Sequence, residues 1–93
     1  MDIFAQLAEK IIEEQEHIIG PIALEQAKKV KGLTVDWSKH EIQFEGNKTE
    51  ILEKLVEQYK HIFGQASVEA CKEAVQNLLE KVPDNQIPSL LRN

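Results

Sequence analysis

A chain of 93 residues that is 42% apolar and 29% charged has room for one core and too much Ile, Leu and Val to remain disordered. Its net charge is −5, and the single local basic run is Lys28, Lys29 and Lys31, which argues against a nucleic-acid footprint. The one cysteine, Cys71, excludes an intrachain disulfide and a thiolate zinc site within the chain.

Ile3, Phe4, Leu7, Ala8, Ile11, Ile12, Ile18 and Ile19 recur at helical spacing among Glu, Gln and Lys. Charges at Asp2, Glu9, Lys10, Glu13, Glu14 and Glu16 interrupt the apolar run, so the segment reads as an amphipathic helix and not as a signal peptide or membrane span. A cytoplasmic location is expected. Gly20 is placed to close this helix in the left-handed conformation. Pro21 suits the first position of a second helix carrying Leu24, Ala27 and Val30, which Gly32 ends.

From Leu33 the period changes to two. Leu33, Val35 and Trp37 alternate with polar residues, as do Ile42 and Phe44. This predicts a β-hairpin over 33–45 with a turn around Ser38–Glu41, setting Trp37 opposite Ile42 and Val35 opposite Phe44. Gly46 ends the hairpin, and Asn47 with Glu50 three residues on is a capping arrangement. Ile51, Leu52, Leu55, Val56, Tyr59, Ile62 and Phe63 form the next helical stripe. At Gly64 a bend and a continuous helix are both open, because Gln65 stands where Pro21 followed Gly20. A last helix carries Val68, Cys71, Ala74, Val75, Leu78, Leu79 and Val82. Two prolines then end helical structure, and Ile87, Leu90 and Leu91 of the tail (83–93) either dock on the core or stay mobile.

Sliding the chain by 44 positions lays residues 9–30 over 53–74, with eight identities in 22 pairs: Glu9/Glu53, Lys10/Lys54, Glu13/Glu57, His17/His61, Ile18/Ile62, Gly20/Gly64, Glu25/Glu69 and Lys28/Lys72. The shared His-Ile-x-Gly string in register with the helical stripe favours a duplicated helix-turn-helix unit. The units span about 2–31 and 48–82, within one domain of 1–93. The fold class expected is α+β, mostly helical, with the hairpin inserted between two helical pairs related by an approximate twofold.

His17 and His61, equivalent in the repeat, are the candidate metal ligands or titrating pair. The competing expectation is that each interacts with the last carbonyls of its helix. Cys71 matches Ala27 and is expected to be a buried thiol packing as a hydrophobe. Trp37 is a candidate core or interface anchor, and Tyr59, matching Gln15, is expected to keep its hydroxyl at the rim of the core. Glu13, Glu14, Glu16 and Glu57 read as solvated helix faces, and the scattered glycines form no phosphate loop. No catalytic residue and no cofactor is expected.

The strings IIGPIALEQAKKV and YKHIFGQASVEACKEAV resemble short helical modules that accompany bacterial and archaeal signalling proteins, often at a terminus of a kinase or regulator. The resemblance covers the two units and not the hairpin or the tail. It implies a regulatory or protein-interaction module without its own chemistry. The function expected is therefore a non-catalytic, self-associating interaction module with a homodimer interface at Ile3, Phe4, Leu7, Val35, Trp37, Ile42 and Phe44. The alternative is a small ligand- or metal-binding sensor using the space between the repeats.

Overall fold

The computed structural model describes residues 2–92. Asp2 opens the first helix, α1 (Ile3–Ile19), by accepting the Ala5 N–H at 2.9 Å and so satisfying a donor with no intrahelical partner. A bend leads into α2 (Ile22–Ala27). Strands β1 (Leu33–Asp36) and β2 (Glu41–Phe44) form an antiparallel hairpin. Asn47 then caps α3 (Lys48–Phe63) by accepting the Glu50 N–H at 2.9 Å, and a second bend leads into α4 (Gln65–Val75). The fold is α+β and mostly helical, with the hairpin between two helical pairs, as the periodicities predict. α4 packs against both α1 and α3, α2 against the same two helices, and the hairpin lies on α1. The apolar stripes converge on Leu7, Ile11, Ile12, Leu52, Leu55, Val56, Tyr59, Val68 and Val75, all essentially without solvent contact.

The chain bends at Gly64, so the continuous helix does not form. Gly20 and Gly64 adopt nearly one conformation, with φ 76° and ψ −156° at the first and φ 76° and ψ −165° at the second. This is not the left-handed helical conformation expected at Gly20. It is the extended, positive-φ region that is essentially restricted to glycine. At each bend the glycine N–H donates to the carbonyl four residues back, Glu16 or Lys60, at 2.8 Å. Its own carbonyl accepts from the residue three on, Ala23 at 3.0 Å or Ser67 at 3.1 Å. Pro21 follows the first bend and Gln65 the second, so proline is dispensable to the geometry.

The hairpin differs from expectation in register. Val35 pairs with Ile42 and Leu33 with Phe44, a shift of two from the predicted pairing. Trp37 leaves the strand and begins a tight turn, Trp37–Lys39, closed by His40 at φ 53°. The Asp36 carboxylate holds that turn, accepting from the Ser38 hydroxyl at 2.7 Å and the Lys39 N–H at 3.4 Å. A shift of two preserves the alternation, so the predicted face still points at the helices.

Two helices are shorter than expected. α2 stops at Ala27, and Val30 is buried from a following turn. Gly32 therefore does not end a helix; its carbonyl accepts the Glu45 N–H at 2.8 Å at the hairpin's open end. α4 stops at Val75, leaving Leu78, Leu79 and Val82 on turns. The tail docks: Leu91 and Pro88 are buried, the Glu53 carboxylate accepts the Leu90 N–H at 2.8 Å, and the Thr49 hydroxyl donates to the Gln86 carbonyl at 2.7 Å.

Gly64→Ala is expected to lower the unfolding free energy by about 1–3 kcal/mol, as is Gly20→Ala. An added Cβ meets no atom within 4 Å at either position, so the loss measures backbone conformation alone. Denaturant unfolding checks the sign, since alanine inside a straight helix at Gly64 would stabilise by about 1 kcal/mol instead.

Candidate functional site

The buried interior carries a polar seam that joins the two units. Gln15, fully enclosed, donates from Nε2 to the Ser67 carbonyl at 3.1 Å and to Cys71 Sγ at 3.3 Å. Its Oε1 accepts the Ser67 hydroxyl at 3.2 Å. Tyr59, also enclosed, donates its hydroxyl to the Ala23 carbonyl at 2.7 Å. Tyr59 thus does not leave its hydroxyl at the rim. Residues 15 and 59 are 44 apart, and so are 23 and 67, so one contact is made in both directions between the units. Sequence reading missed Gln15, a polar residue on an apolar stripe. The available signal was its alignment with Tyr59. Among the described residues every buried side-chain nitrogen and oxygen has a partner.

Cys71 is fully buried, as its match to Ala27 predicts. Burial pushes the thiol up to about 12, and the Gln15 amide offsets this only in part. Burial likewise raises the Tyr59 hydroxyl. His17 and His61 are exposed in the last turns of α1 and α3. Among the described residues no group of three or more His, Cys, Asp or Glu is arranged to hold a metal. Trp37 is half-buried and lies 5.0 Å, centroid to centroid, from His40, whose Nδ1 is 3.5 Å from Glu9.

The expected interface residues are largely committed within the chain. Leu7 is fully buried and Ile42 nearly so. Ile3, Phe4, Val35, Trp37 and Phe44 are half-buried against the same core. Lys48 closes over Phe4 and Phe44, its ammonium 5.8 Å and 5.9 Å from the ring centroids and 2.9 Å from the Asp2 carboxylate. That ion pair holds Asp2 below the ordinary carboxylate value. The hairpin face packs on α1, and Lys48, the first residue of α3, reaches back over its Phe44 edge.

Apolar exposure lies instead at the bends. Among the described residues, Ile18, Ile22, Ile62 and Phe63 are the large apolar side chains left in solvent. Ile18, Ile19, Phe63 and Ala66 border a cleft of about 280 Å³ that brings residues of both bends together. A second concavity, an open groove of about 380 Å³, is lined by Lys29, Lys31, Lys54, Glu57, Gln58 and His61. The Gln58 amide there donates to Gln26 Oε1 at 2.7 Å, tying α3 to α2. Lys29 and Lys31 were visible as a basic run, but Lys54 and His61 join them only through the fold.

No helix among the described residues is long and apolar enough to cross a membrane. Comparison with known protein families, curated proteins and solved structures finds no match to this chain.

Cys71→Ala is expected to cost about 1 kcal/mol, the range for a modest core truncation. A thiol raised in the folded state contributes stability that is complete below its unfolded value near 9.0 and declines as pH rises towards about 12. The fall in unfolding free energy between pH 9.0, where an unfolded thiol is half ionised, and 10.0, where an unfolded tyrosine is, is therefore expected to be shallower in Cys71→Ala than in the parent chain. Denaturant titrations at both pH values check it. Replacing His17 and His61 together with Gln is expected to leave the circular dichroism and metal content unchanged.

Proposed function

We propose that the protein is a non-catalytic regulatory module of the cytoplasm that self-associates as a homodimer, built by duplication of one helix-bend-helix unit. The carrying observation is the apolar exposure at the two bends, where Ile18, Ile22, Ile62 and Phe63 stand 57%, 38%, 41% and 37% exposed and Ile18 and Phe63 border one cleft. An apolar cluster of this kind favours a protein partner. The resemblance of both units to helical modules of signalling proteins agrees with a regulatory role. Enclosure of the only thiol agrees with a chain that performs no nucleophilic chemistry.

The occupant of this face is a second copy of the chain, and charge sets its orientation. Glu16 and Lys60 hold equivalent positions in the two units, each one turn before an apolar residue of the cleft, Ile19 or Phe63. A twofold interface uses the same patch on both copies. Setting the first bend of one copy over the second bend of the other brings Glu16 against Lys60 of the partner copy, twice over. The opposite orientation sets like charges together.

Sedimentation of the full chain is expected to give a mass twice the 10.6 kDa of the monomer, reverting to the monomer in Ile18→Glu and Ile62→Glu. Glu16→Lys is expected to weaken association roughly tenfold, if each exposed pair is worth about 0.7 kcal/mol, and Glu16→Lys with Lys60→Glu to restore it. A parent chain that stays monomeric at high micromolar concentration overturns the reading. So does a dimer broken by Trp37→Ala and indifferent to Ile18→Glu, which would return the interface to the hairpin.

A further inference from the structure

The groove between α2 and α3 is a separate matter from the apolar face. Lys29 and Lys31 reach it from the connection that leaves α2, and Lys54 and His61 from α3. Glu57 is the one carboxylate in its lining. Three lysines against one glutamate leave the groove at +2, counting His61 as neutral, in a chain whose net charge is −5. Among the described residues the lysines that form ion pairs are Lys48 and Lys72, and neither lines the groove. The chain holds 16 Asp and Glu residues, yet among the described residues no ion pair is formed by Lys29, Lys31 or Lys54. Like charges that share a concave surface raise the local potential, so their mutual repulsion is left for an external anion to relieve.

We propose that this groove binds a small multivalent anion of the phosphate class. Lys29, Lys31 and Lys54 act as point charges and the His61 imidazole as a hydrogen-bond donor. Three ammonium groups match an anion of two or more charges better than a monocarboxylate. An extended polyanion fits poorly, because the adjoining concavity that shares Lys54 and Glu57 is lined by Glu50 and Glu53, and the chain as a whole is acidic. The site joins α2 of the first unit to α3 of the second, and the Gln58–Gln26 hydrogen bond already holds those helices together there.

The test is a titration of the ¹⁵N-labelled full chain with sodium pyrophosphate at low ionic strength, followed by amide chemical shifts. Saturable shifts are expected at residues 29–31 and 54–61. Lys31→Glu and Lys54→Glu are each expected to weaken binding about tenfold or more. Lys81→Glu makes the same charge change at an exposed position outside the groove and is expected to weaken it less than about twofold. All three side chains are exposed, so circular dichroism should not change. Shifts that fail to saturate, that spread over every lysine, or that fall equally in Lys81→Glu overturn the proposal. Tighter binding of a single-stranded oligonucleotide than of pyrophosphate also overturns it, in favour of a nucleic-acid surface. The groove variants are expected to keep the sedimentation mass of the parent, which separates this test from that of the dimer.

Discussion

One contact, made twice, fixes how the two halves of this chain fit against each other. Each half is a bent pair of helices whose apolar stripe its own short second helix cannot cover. Gln15 reaches from α1 to the Ser67 carbonyl of α4, and Tyr59 reaches from α3 to the Ala23 carbonyl of α2. A carbonyl already used within a helix keeps a second lone pair for such a donor. Each bond contributes only about 1 kcal/mol net, but a buried group stripped of its partner costs about 1–3 kcal/mol. The seam therefore acts chiefly against wrong packings. A slide of either half that preserved the greasy contacts would orphan an enclosed amide or phenol.

The bends place this seam and create the exposed face at the same time. Both glycines hold the same extended, positive-φ conformation, so both second helices turn back over the opposite half. The residues just before each turn continue the apolar stripe past the point where anything in the chain covers it. Ile18 and Ile62 are left outside because the backbone departs from the helix two residues later. Core and exposed apolar residues are thus one stripe, divided by where the glycine falls.

The helical stripes were legible because a period of 3.6 is carried by many residues at once. The hairpin face was legible for the same reason at a period of two, but its register was not, since a shift of two keeps every side chain on its side. The turn chemistry of Asp36 and His40 decided it. The ends of α2 and α4 escaped detection because Val30, Leu78 and Val82 keep helical spacing while lying on turns. The inward packing of the expected interface residues escaped for a different reason. Phe4 and Phe44 do form an apolar surface, but the cation over it, Lys48, is far from Phe4 in sequence and looks like an ordinary solvated lysine. Lys54 and His61 likewise meet Lys29 and Lys31 only after the chain has folded.

The position of the single thiol gives the molecule a built-in clock. Cys71 Sγ lies on α4 against an amide from α1, on the seam between the halves. A reagent in solvent reaches it only when that seam opens. If closing is fast, the labelling rate reports the population of the parted state. If reagent is abundant, it reports how often the halves separate. One unmodified residue can therefore time the motion between two units that no probe at the surface would distinguish.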